Sequence, residues 1–85
     1  MKSFKYVVQD EVGLHARPAG LLVKEAGKSA SSITIESKGK TADAKRLLAV
    51  MGLGVKKGDA ITVTVEGSDE EAAAAALEAF CKANL

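Results

Sequence analysis

The residues able to do chemistry together lie in one stretch, Gly13-Leu14-His15-Ala16-Arg17-Pro18-Ala19-Gly20. It holds the only histidine and the only proline of the 85-residue chain, with Arg17 between them. Imidazole has an unperturbed pKa of about 6.5, so at neutral pH a ring nitrogen keeps a lone pair for nucleophilic attack. Histidine is also among the side chains that form covalent intermediates. A helical pattern begins directly after His15, and first-turn amides have no intrahelical acceptors. With the helix dipole they make a cradle for a phosphate-sized anion over Ala16, Arg17 and Pro18. Arg17 adds a permanent charge and planar donors that match phosphoryl oxygens. The chemistry this combination suits is a transient phosphohistidine, with His15 as phosphoryl acceptor and Arg17 neutralising the phosphate. A partner that aligns the group would supply most of the rate. A lone histidine is more often structural, and it is the local context that favours the reactive reading. Metal binding is disfavoured, because no second His, Cys pair or carboxylate cluster lies at ligand spacing.

Length and composition set the frame. Eighty-five residues suffice for one domain with a single core. With an aromatic share of 4%, that core must be built from Val, Ile, Leu and Ala. A net charge of +1 argues against a general nucleic-acid or membrane binder. The charge is uneven, however: Lys and Arg dominate from Lys24 to Lys57, while Glu66, Asp69, Glu70 and Glu71 cluster late. The single cysteine, Cys81, excludes an internal disulfide and fits a reducing compartment. No signal-peptide core and no run of ~20 apolar residues is present. A cytoplasmic protein, monomeric or weakly associating and without a cofactor, is the expectation.

Several elements must position the histidine. Ser3 to Val8 mixes aromatic and β-branched residues and predicts a strand, followed by a polar turn over Gln9 to Gly13. From Ala16 to about Gly27, residues Ala19, Leu22, Val23 and Ala26 fall on one helical face. Arg17, Leu21, Lys24 and Lys28 share the opposite stripe, with Gly20 beside them. That stripe reads equally as a solvated basic face or as a docking face for acidic partners. Ser32 to Glu36 and Lys40 to Ala44 read as a hairpin around Lys38-Gly39. Leu47 to Val55 is apolar nearly all round and suits a short helix that leaves Leu47, Leu48 and Met51 exposed, a partner surface. Ala60 to Glu66 alternates cleanly as a strand. Ser68 with Glu71 then predicts a capping box for a last helix that buries Ala73, Ala76, Leu77 and Phe80. The order β-α-β-β-α-β-α, in strands with one polar face, predicts an α+β two-layer open sandwich. A four-stranded antiparallel sheet is covered on one face by three helices.

The stretch Gly13 to Ala19 closely resembles the active-site signature of HPr, the histidine phosphocarrier family of the bacterial phosphoenolpyruvate:sugar phosphotransferase system. The resemblance extends over the whole chain, through Met51-Gly52-Leu53-Gly54 and the Lys57-Gly58 turn. It implies a carrier rather than an independent enzyme. Enzyme I would phosphorylate His15 at Nδ1, and the group would pass to a histidine on an EIIA domain of a sugar permease. It also implies that Arg17 neutralises the phosphate and that Gly20, Lys24, Leu47, Leu48, Met51 and Gly54 belong to a docking surface shared by both partners. Leu21 and Lys28 extend that surface along the basic stripe. One position departs from the pattern. Many members carry a kinase-regulated serine at 46, whereas this chain has Arg46, with no hydroxyl to phosphorylate and no short oxygen to cap the following helix. Two other readings stand beside the carrier: a regulatory HPr-like binding module or nitrogen-branch carrier, and a small ligand- or RNA-binding domain. The scarcity of aromatic residues speaks against the last.

Overall fold

Alternation of apolar and polar side chains decides which way each strand faces. In the computed structural model, which describes residues 1–85, four strands do so: β1 (Lys2–Val7), β2 (Ser32–Ser37), β3 (Lys40–Asp43) and β4 (Ala60–Glu66). They form one antiparallel sheet in the order β1-β4-β2-β3. Ile33 pairs with Val65 and Ile35 with Val63, so the apolar residues of the two central strands share one face. All four are buried, with Ile61 beside them. A slip of one residue would turn this whole set outward, which ties the register to the core. The β2–β3 turn places Lys38 and Gly39 at φ +54° and +79°, the left-handed pair that a two-residue hairpin requires.

Three helices cover the apolar face: α1 (Ala16–Ala26), α2 (Leu47–Met51) and α3 (Glu70–Asn84). α1 buries Ala19, Leu22 and Ala26, with Val23 half-buried, as its periodicity requires. α2 buries Val50, and the core continues through Leu53 and Val55 beyond its end. The expected architecture is the observed one, with strand ends displaced by a residue, as at β1 and β3.

Two expectations about α3 are corrected. Its buried stripe is Ala73, Leu77 and Cys81; Ala76 is exposed and Phe80 only half-buried. A run of five alanines packs almost equally well at any rotation, so larger residues elsewhere in the core decide which stripe goes under. Burial pushes the Cys81 thiol up to about 11, which leaves it protonated and inert. The Ser68/Glu71 capping box does not form. The helix begins at Glu70, whose Oε1 accepts the Gly67 amide at 3.2 Å, and Asp69 stands at the cap position without capping. The Asp69 carboxylate is drawn away to the α1–β2 loop. There it accepts the Ser29 hydroxyl at 2.9 Å, the Ala30 amide at 3.1 Å and the Ser31 hydroxyl. Lys45 closes the same loop by donating from Nζ to the Ser29 carbonyl at 2.8 Å.

These carboxylates make stability depend on pH. The Ser31 hydroxyl, then the Ala30 amide and Ser29 hydroxyl, hold the Asp69 carboxyl below the usual carboxylate range. The Lys56 amide and the Lys38 side chain do the same for Asp59. A depressed folded-state pKa contributes stability that is present above the unfolded value, about 4, and lost as pH falls through the folded value. Thermal unfolding followed by circular dichroism should therefore show a level midpoint near neutrality and a decline below about pH 4. Asp69→Asn should lower the neutral-pH midpoint by several degrees and make the acid decline shallower. An acid decline as steep as the parent's would exclude Asp69 as its source.

Candidate functional site

The loop before His15 is pinned at both ends. The Gln9 and Asp10 amides donate to the main-chain oxygen of Leu85 at 2.6 and 2.7 Å. The Leu14 amide donates to the Val55 carbonyl at 3.0 Å, and the Leu14 side chain is buried. Gly13 permits this approach. Its φ is +73°, and a Cβ there would collide with the Val55 carbonyl oxygen and lie 2.7 Å from Lys56 Cα.

His15 then occupies the cap position of α1 in extended conformation, φ −97° and ψ −165°, with no side-chain cap bond. Its carbonyl accepts the Ala19 amide at 2.9 Å, so the backbone begins the helix while the imidazole stays uncommitted and exposed. The amides of Ala16 and Arg17 find no protein acceptor. Pro18 has no amide to give, so the expected cradle offers two donors, and Pro18 contributes fixed φ and a buried ring. Arg17 is exposed and takes part in no ion pair. A free nucleophile, a free cation and two free amides thus converge at one helix start.

His15, Arg17 and Pro18 line a groove of about 250 Å³ together with Asp10, Val12, Leu21 and Asn84. Of these lining residues the sequence singles out Leu21 but not the other three. Val12 carried a weak signal, as an apolar residue in a polar turn. Asn84 carried none, because only the tertiary fold brings the last turn of α3 to the histidine.

The expected docking residues divide. Leu21, Leu47 and Leu48 are exposed, at 41%, 39% and 82%, and α1 lies beside α2. Lys24 is exposed and unpaired, while Lys28 is shared with Glu25 at 3.3 Å. Gly20 borders open space. Gly54 is exposed at φ +65°. Met51 differs from expectation: it is half-buried and packs against the core, since the five-residue helix turns its last side chain inward. Arg46 caps α2 by position only, with no side-chain cap bond, and its Nε lies 3.8 Å from Asp43. No group of His, Cys, Asp and Glu is arranged to hold a metal ion, and no helix is long and apolar enough to cross a membrane.

A family model described as the PTS HPr component phosphorylation site matches residues 2–83. The phosphocarrier protein HPr of Mycoplasma genitalium is 40% identical over 85 residues, covering 99% of this chain and 97% of that protein. A crystal structure of HPr from Thermoanaerobacter tengcongensis superposes with a TM-score of 0.94 at 38% identity, covering 99% and 94% of the two chains. A structure of an HPr dimer from the same organism aligns at 0.77 with 38% identity over 98% and 95%.

The two glycines flanking the site should respond oppositely to a methyl group. Gly13→Ala should cost about 2 kcal/mol or more, through positive φ and a main-chain clash. Gly20→Ala, in an open helical position, should gain about 0.5–1 kcal/mol. Urea unfolding of the two variants checks both; a neutral Gly13→Ala would contradict the close approach to Val55.

Proposed function

The chain belongs to the HPr family, the phosphocarriers of the phosphoenolpyruvate:sugar phosphotransferase system, and we propose that it carries phosphate from enzyme I to EIIA domains of sugar permeases. The observation that carries this reading is the uncommitted imidazole of His15, which shares a groove with the unpaired Arg17 at the open start of α1. In the proposed cycle the Nδ1 lone pair of His15 forms a bond to phosphorus as the bond from phosphorus to the donor nitrogen breaks. The bonding pair returns to the donor, and the ring keeps its other proton. The guanidinium of Arg17 and the amides of Ala16 and Arg17 hold the phosphoryl oxygens. The reverse sequence at a second docked partner releases the group. The chain is therefore a protein substrate of phosphotransfer, and in this reading it works in the cytoplasm as a monomer.

Docking falls on the face around Leu21, Leu47 and Leu48, where exposed apolar side chains stand among Arg17, Lys24 and Arg46. Gly20 leaves this face flat. An acidic partner surface with an apolar centre suits it, because charge steers the encounter while apolar contact supplies affinity. Arg46 removes any regulation through a hydroxyl at that position and adds a cation to the steering field.

Incubation with phosphoenolpyruvate and enzyme I should give an acid-labile, alkali-stable mass gain of one phosphoryl group, absent from His15→Ala. No adduct on the parent protein would refute the carrier reading. Arg46→Ser should slow transfer several-fold at low salt, with the difference closing at high salt. Equal rates for the two proteins at every salt concentration would remove Arg46 from the steering surface.

A further inference from the structure

The His15 groove contains one carboxylate, and the carrier cycle makes no use of it. Asp10 is half-buried there and firmly held. Its amide donates to the Leu85 main-chain oxygen at 2.7 Å, and its carbonyl accepts the Gly13 amide at 3.0 Å. Its Oδ1 accepts the Val12 amide at 2.9 Å. The second carboxylate oxygen, Oδ2, has no protein donor, and Asp10 joins no ion pair. An unpaired carboxylate oxygen is thus held in the groove that His15 also lines. The backbone ties to Leu85 and Gly13 and the Val12 amide orient the carboxylate at the groove.

We propose that Asp10 sets the phosphoryl-transfer potential of His15: its carboxylate raises the free energy of the phosphorylated state and keeps the group easy to pass on. The proposal rests on the carrier reading of His15. Arg17 and the free amides attract the phosphoryl oxygens, whereas the carboxylate opposes the same charge from the same groove. Attraction lowers the free energy of the phosphorylated state, and the carboxylate offsets part of that lowering. Asp10 exchanges no proton or electron pair; it acts through its field on the state formed when the N–P bond is made.

The test uses Asp10→Asn, which keeps an oxygen acceptor for the Val12 amide and removes the charge. The parent and variant are each brought to equilibrium with a limiting pool of phosphorylated enzyme I, and the phosphorylated-to-free ratio is read by mass spectrometry. The variant's ratio should rise roughly threefold to tenfold at low salt. The rise should shrink at high salt, and the isolated adduct should last longer. Glu11→Gln removes the same charge from the adjacent exposed residue, which does not line the groove, and should leave the ratio unchanged. Asp10→Ser offers a second neutral acceptor if the Asn variant folds poorly, and should behave alike. An unchanged ratio in both Asp10 variants, or an equal rise in Glu11→Gln, would overturn the proposal. A parent protein that accepts no phosphate would overturn the carrier reading with it. A phosphorylated parent with flat Asp10 variants would overturn this inference alone.

Discussion

α1 is held beyond both of its ends by the two residues that flank α3, Asp69 and Leu85, and the placement of His15 depends on that restraint. Past the C-terminal end of α1, the Asp69 carboxylate gathers the Ser29 hydroxyl, the Ala30 amide and the Ser31 hydroxyl. Before its N-terminal end, the main-chain oxygen of Leu85 takes the Gln9 and Asp10 amides. α3 is itself seated through Ala73, Leu77 and Cys81 against the apolar face of the sheet. The position of His15 therefore follows from sheet register through one helix to another. The imidazole can be left exposed because its backbone is tied on both sides.

That arrangement has a local cost. An ordinary helix start carries Ser, Thr, Asp or Asn at the cap, worth about 1 kcal/mol over alanine. None of the three helices here uses its cap residue that way. His15 leaves the first amides of α1 open, Arg46 puts a cation at the start of α2, and Asp69 is spent on a neighbouring loop. At α1 the omission leaves the Ala16 and Arg17 amides free for an anion, which the proposed carrier role requires. At α2 the cation opposes the helix dipole and is relieved only by a long, exposed approach to Asp43. Stability comes instead from the packed core and from polar ties between distant loops.

The charge pattern acquires meaning through the same geometry. Arg17, Lys24 and Arg46 are spread over two elements in the chain, yet α1 and α2 lie side by side around exposed leucines. Asp69, Glu70 and Glu71 lie elsewhere, at the start of α3, so the small net charge of +1 conceals an uneven distribution over the surface. Long-range steering responds to that distribution, not to the total.

Local periodicity by itself determined the β-α-β-β-α-β-α order, the inward face of β4 from Ala60 to Glu66, and the buried face of α1. Residue type and local context marked His15 and Arg17 as candidates, because the features that suggest their chemistry lie beside them in the chain. The rotation of α3 was not legible, since five alanines offer no preferred stripe. Asp69 read as one member of an acidic cluster, because its partners lie at Ser29 to Ser31 and nothing local pairs them with it. Asp10 and Asn84 entered the His15 groove only when the last turn of α3 met the loop after β1. Sequence pattern reports what a residue needs from its immediate neighbours. Which distant group meets that need, and so which charges share a pocket with His15, was decided by packing.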